Sequence, residues 1–315
     1  DRSALDRLQR SLIERQKEVE AHEEELAVRR QALARTAKSG LPPPITEKPG
    51  ELRDAGQQAD ESLVAPTTKR FADRVSTGTP RLDDLLMGGM PPKGHVLLIG
   101  EPFVGKEIVL YAFAADGLRK GESAVLITCA RGPDEIRQHM VDVLPSFAEF
   151  EKKGRVQWID ASRPAEEGAP AASSKGTVVV KGPDDHPGIL SALVAAVKKA
   201  ETNDGGKVRV GFLGLSAALS HADEKAGFTF LQNFVGILKP RSALAFYTVE
   251  GGTLTEAQIE RLMSRMDGAI RFKQEQNKTY LSVAGIGDVA TRDWIECRST
   301  GRALIVGSFS LERIR

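Results

Sequence analysis

Eight residues of this chain have the types and spacing for phosphate chemistry. Gly100-Glu101-Pro102-Phe103-Val104-Gly105-Lys106-Glu107 fits the pattern G-x-x-x-x-G-K. Such a loop works when it leaves a strand and opens a helix, because the turn then aims backbone N–H groups and a helix N-terminus at phosphate. Lys106 would add a point charge on the outer phosphates, so the loop is suited to ATP or ADP. The eighth position departs from the pattern. A Ser or Thr there gives Mg²⁺ a neutral oxygen, and this chain has Glu107. A carboxylate can bind Mg²⁺, but it also sets a negative charge against a polyphosphate, and Glu101 adds another. The loop therefore favours a nucleotide more than it favours the nucleotide's Mg²⁺.

The elements that would position this loop are legible on both sides of it. His95 to Gly100 (HVLLIG) is an apolar run that predicts a buried strand, and Glu107 to Lys120 predicts the helix after it. Strands are then expected at Ser123 to Cys129, Arg155 to Asp160, Val208 to Leu215 and Ala243 to Val249. Helices are expected at Pro133 to Val143, Ile189 to Glu201 and Phe228 to Leu238. Strand and helix alternating this often predict an α/β fold with a mostly parallel sheet covered by helices on both faces. Ala161 to Gly188 is rich in Ala, Pro, Gly and Asp and reads as a surface excursion, with one short strand at Thr177 to Lys181. From Ala269 the pattern changes to short strands and turns, as for a β-hairpin edge added to the sheet.

Ahead of this domain, residues 1–38 form a charged segment. Leu5, Leu12, Val19, Leu26 and Leu33 recur every seven residues, which places them on one stripe of a helix. The companion stripe, Leu8, Arg15, His22, Arg29 and Thr36, is mostly polar. A coiled coil that grips a protein partner and a single charged helix both fit. Ser39-Gly40 and Pro42-Pro43-Pro44 end the helix. Residues 39–69 have the composition of a flexible linker, and 70–315 form the globular domain.

The composition is that of an ordinary globular protein, with 41% hydrophobic and 28% charged residues. A net charge of +1 creates no field that would select nucleic acid or an anionic membrane, and no apolar run approaches the roughly 20 residues that span a bilayer. Cys129 and Cys297 fit neither a disulfide framework nor a zinc pattern, so two reduced thiols in a cytoplasmic protein are expected. Because the chain begins at Asp1, a targeting segment or further domain upstream stays open.

Upstream of the loop stands Arg74-Val75-Ser76-Thr77-Gly78-Thr79-Pro80-Arg81-Leu82-Asp83-Asp84-Leu85-Leu86-Met87-Gly88-Gly89-Met90-Pro91. This series resembles the entry signature of KaiC-like ATPases of the RecA superfamily. The similarity continues through Gly121-Glu122, Gly132-Pro133-Asp134-Glu135-Ile136 and Trp158-Ile159-Asp160-Ala161-Ser162, and it covers roughly Arg70 to Val289. The resemblance implies a RecA-like core, ATP held at subunit interfaces, and assembly into rings or filaments through the RecA-like face.

Carried over position by position, the same resemblance implies altered chemistry. The paired acids that activate water fall on Ala130 and Arg131. The Walker B aspartate falls on Leu213, and the Lys and Arg that reach a neighbour's phosphates fall near Gly285 and Gly287. Alanine accepts no proton and arginine stays protonated, so no catalytic residue is assigned. Other groups stay open. Asp160 reads as a structural acid beside the second strand. Glu250 is either a γ-phosphate sensor or a turn acid, and Arg131 either a phosphate holder or a solvated loop residue. Arg292 either crosses an interface or pairs with a carboxylate. His95, His139, His186 and His221 lack metal-ligand spacing.

Three functions follow as expectations. The first is a nucleotide-binding scaffold or signalling regulator that self-associates and does not hydrolyse ATP. The second is a slow ATPase using Glu107 for metal and Glu250 for water. The third is an accessory protein that binds single-stranded DNA. The excursion 161–188 argues against nucleic acid, since it has no aromatic residue and balanced charge.

Overall fold

The computed structural model describes residues 73–162, 176–203, 206–220 and 222–309. The expected helix at 1–38, the linker at 39–69 and the middle of the excursion lie outside the described residues.

The phosphate-loop unit forms where the sequence placed it. Strand β1 (His95–Gly100) is buried along its whole length, and α2 (Lys106–Arg119) follows it. Ahead of them lies a short helix, α1 (Pro80–Leu85), which opens with a proline, a residue suited to a first helical turn. The Asp83 carboxylate accepts from the Thr77 N–H and from the Ser76 and Thr77 hydroxyls, each at 2.7 Å. That accounts for the Ser-Thr-Gly and Leu-Asp spacing: the acid ties the entry turn to the helix.

Next come β2 (Ser123–Thr128), α3 (Pro133–Val143), α4 (Phe147–Lys152), β3 (Val156–Asp160) and β4 (Thr177–Val179). They are followed by α5 (His186–Glu201), β5 (Val208–Leu213), α6 (Leu215–Ser220), α7 (Glu224–Leu238), β6 (Ala243–Glu250) and α8 (Glu256–Met263). The chain closes with β7 (Gly268–Glu275), β8 (Lys278–Gly285), β9 (Ile295–Ser299) and β10 (Leu304–Val306).

One ten-stranded sheet holds these strands in the order β10-β9-β8-β7-β1-β6-β5-β2-β3-β4. From β7 to β4 the pairs are parallel; β7 with β8, β8 with β9 and β9 with β10 are antiparallel. The expected hairpin edge is therefore a four-strand extension whose first member runs parallel to β1. Helices cover both faces. On one side α1, α2, α3 and α4 bury Leu82, Phe113, Ile136 and Phe147. On the other α5, α6, α7 and α8 bury Leu193, Leu215, Phe234 and Ile259.

Boundaries move where a cap overrides periodicity. Helix α5 begins at His186, not Ile189, because the Asp185 carboxylate accepts from the Gly188 N–H. Helix α7 begins at Glu224, not Phe228, because Asp223 caps Ala226 in the same way. The strand expected to reach Leu215 stops at Leu213, where the chain turns into α6. Among the described residues, no helix is long and apolar enough to cross a membrane.

Candidate functional site

The carboxyl ends of β1, β6, β5 and β2 form one rim, the place where parallel α/β sheets take ligands. Register levels them: Gly100 lies beside Glu250, and Leu213 beside Thr128. The phosphate-type loop rises from β1 at Gly100 and turns into α2 at Gly105. Gly105 has φ +93° and serves as N-cap with no side-chain cap, so the first amides of α2 receive no oxygen from it. A Cβ there would also come within 2.8 Å of Ser299 Cβ, so both conformation and space demand glycine. Phe103 holds a left-handed conformation too, at φ +67°, with its ring 88% exposed. That conformation costs a non-glycine residue about 1–2 kcal/mol.

Lys106 is the centre of the site. It is fully buried, and its ammonium donates to the Glu101 carbonyl at 2.9 Å. It also pairs with Glu107 Oε1 at 2.9 Å and Glu250 Oε2 at 3.0 Å. Two of these contacts, to the Glu101 carbonyl and to Glu250, are hydrogen bonds, and the one to Glu107 is an ion pair. Glu250 reaches it because β6 runs beside β1, and its own N–H donates to the Ser216 hydroxyl. The acid at the end of β6, open in the sequence between sensor and turn residue, is an ion-pair partner of the loop lysine.

Glu107, Tyr111, Ala130, Arg131, Leu213, Thr248 and Glu250 line one cleft of about 40 Å³. The positions that the sequence singled out at 107, 130, 131, 213 and 250 thus converge, although helix α2 and the ends of three separate strands supply them. No carboxylate stands at Leu213, which is 5% exposed. In its neighbourhood the Thr248 hydroxyl accepts from the Gly214 N–H at 2.8 Å. Sequence reasoning missed Thr248 and Tyr111. Thr248 was within reach, since it lies two residues before Glu250 and so faces the same side of β6. Burial first, and then Glu107, push the Tyr111 phenol well above its ordinary range.

The remaining candidates resolve individually. Arg131 lines the cleft, pairs with Glu135 at 3.2 Å and is 42% exposed. Asp160 accepts from the Ser162 N–H and hydroxyl on β3, away from β5, which is a structural turn role. Arg292 departs from the expected carboxylate pairing and donates to the carbonyls of Gly285 and Gly287. Those two glycines lie toward the start of β1, since Gly285 pairs with Gly268 and Gly268 with Val96. They are therefore remote from the rim of their own chain. Among the described residues, no group of three His, Cys, Asp or Glu could hold a metal ion. Cys129 and Cys297 are free and buried, and burial pushes both thiols up to about 12, far from a reactive thiolate.

Comparison with known proteins places this geometry. Residues 75–284 match the family described as "ATPase: KaiC". A UPF0273 protein of Aeropyrum pernix is 35% identical over 137 residues, covering 44% of this chain and 52% of the relative. A UPF0273 protein of Methanopyrus kandleri is 35% identical over 129 residues, covering 41% and 50%. The chain thus spans about half the length of the curated relatives it matches. The crystal structure of a KaiC-like protein of Pyrococcus horikoshii superposes with a TM-score of 0.58 at 20% identity, covering 75% of this chain and 99% of that one. At that identity the likeness concerns the fold.

Proposed function

The chain belongs to the KaiC family of ATPases, and on that premise we propose that it is a nucleotide-binding assembly domain which retains the phosphate loop and has lost hydrolysis. One observation carries this reading. The cleft beside Lys106 is lined by Ala130, Arg131 and Leu213, the positions where the family resemblance puts water-activating and metal-holding acids. Proton abstraction from water needs a general base within hydrogen-bond reach, and alanine, arginine and leucine provide none. The loop itself keeps Gly105 and Lys106, together with a fourteen-residue helix whose N-terminus has no side-chain cap. Those parts bind phosphate through backbone N–H groups and need no catalytic acid.

The slow-ATPase alternative assigns metal to Glu107 and water to Glu250. Both carboxylates are instead engaged with Lys106, so both would have to leave it before either could act. Nucleotide in this reading is a structural or sensory ligand, ATP or ADP, and Mg²⁺ is not required to hold it. Self-association through the nucleotide-bearing face, and a protein partner for residues 1–38, complete the proposal of an oligomeric scaffold. Native mass spectrometry of the purified protein tests both halves at once. The expected spectrum is an oligomer that gains the mass of ATP or ADP on titration. A monomer whose mass no nucleotide changes would refute the reading.

A further inference from the structure

We propose that Glu250 and Glu107 act as an internal stand-in for phosphate, so that the loop is gated by its own side chains and nucleotide enters only by displacing them from Lys106. This rests on the reading of the loop as a nucleotide site and adds what sets its affinity. Geometry supports it from two sides. Lys106 is fully buried; its ammonium donates to the Glu101 carbonyl and to Glu250 at 3.0 Å, and Glu107 stands 2.9 Å from it as a second carboxylate. A phosphate oxygen that sought the same ammonium would meet two carboxylates already in contact with it.

The two carboxylates differ from the lysine in exposure. Glu107 is 22% and Glu250 34% exposed, so either can swing into water without carrying a buried charge through the core. The lysine cannot leave so easily, because it stands at the first position of α2. The movable parts of the gate are therefore the acids. Their placement follows from the fold: Glu250 is held level with Gly100 by the β1–β6 register, and Glu107 follows Lys106 directly in the first turn of α2. A Ser or Thr at position 107 could not close the pair, and a neutral side chain at 250 would leave the lysine with a single carboxylate.

A ligand that binds only the open state has its affinity reduced by the fraction of molecules that are open. With a minor state of about 0.1–10%, the reduction is on the order of tenfold to a thousandfold. The wild-type chain should thus bind ATP and ADP weakly, and removing the carboxylates should recover the lost factor.

The test is titration of the full chain with ATP and with ADP, in EDTA and in Mg²⁺, followed by calorimetry and by melting temperature. The variants are Glu107→Thr, Glu250→Gln, the two combined, and the combined variant with Lys106→Met. Expected is a gain of about tenfold or more in affinity for the double variant, in EDTA as well as in Mg²⁺. Each single variant should fall in between, and Lys106→Met should abolish the gain. Without nucleotide the double variant should melt lower than wild type, and nucleotide should return the difference. Far-UV circular dichroism checks folding, and either single variant carries the test if the double variant does not fold. Equal affinity in wild type and variants overturns the gate while leaving the nucleotide reading intact. Wild-type binding in Mg²⁺ as tight as that of the double variant also overturns it, since the acids would then be metal ligands. Absence of binding in every variant overturns both.

Discussion

Two buried cations stand at opposite ends of the same sheet, each between two carboxylates, and they are built differently. Arg209, near the start of β5, is 1% exposed. Its guanidinium donates to Glu122 at 2.6 Å, Asp116 at 3.0 Å and the carbonyls of Ser76 and Phe113, and it lies 4.7 Å over the Phe113 ring. Gly117 is shaped around it, since a Cβ there would come within 2.6 Å of the arginine stem. Lys106, at the strand carboxyl ends, has a compact ammonium with two carboxylates that are more open to water. A planar fork fixed by four hydrogen bonds is a permanent fastening, whereas a point charge on a flexible stem can trade one anion for another. The same charge balance therefore serves architecture at one end of the sheet and, in our reading, ligand exchange at the other.

Breaking the locked end should give the largest effect. Arg209→Leu leaves the nearly buried Glu122 without its cation and Asp116 with Lys120 alone, and breaking a buried pair in this way typically costs about 3–5 kcal/mol. Urea denaturation should show that loss, and a near-neutral result would mean that the fork is no fastening.

The same end carries a titratable probe of comparable size. His95, at the start of β1, is buried with Nδ1 against the Tyr247 hydroxyl at 2.8 Å. Burial is the largest cause holding its pKa down, to about 4 from 6.5. The folded state thus keeps the ring neutral while the unfolded chain protonates it below 6.5. Stability from this group is complete above pH 6.5, falls as pH drops toward 4 and levels off below that. A displacement of this size corresponds to about 3 kcal/mol. Stability measured from pH 7.5 to 4 should therefore fall more steeply in wild type than in His95→Gln, and parallel profiles would contradict the assignment.

The exchangeable end should yield least. Lys106→Met removes a buried cation, but Glu107 and Glu250 can turn to water, so a loss of about 1 kcal/mol or less is expected. A loss as large as that for Arg209→Leu would erase the distinction between the two ends. The melting temperatures of the two variants, measured side by side, decide it.

The sequence made one of these ends legible and hid the other. The loop was visible because its glycines and lysine keep fixed spacing, and β1 and α3 were located to the residue. The convergence of Ala130, Arg131 and Leu213 followed from the family resemblance, and the parallel sheet brings them together as expected. Arg209 was invisible, because a charged residue inside Val208-Arg209-Val210 reads as the solvent-facing member of an alternating strand. Its partners lie 87 and 93 residues away in sequence, and only the fold brings them together. Helix α8 was missed although its start was readable: Thr255 and Gln258 form a capping box. Helices α1, α4 and α6, each six residues long, are too short for periodicity to emerge. The pairing of Glu250 with Lys106 depended on strand order, which alternating elements do not specify.

The central claim, a phosphate loop without hydrolysis, is tested most directly by phosphate release from labelled ATP in Mg²⁺. The comparison is between wild type and Lys106→Ala at nucleotide concentrations high enough to saturate the wild-type site. Our account predicts no release from wild type above that of the variant, over many times the period of one turnover of an ordinary ATPase. Steady release by wild type that disappears in Lys106→Ala would contradict it.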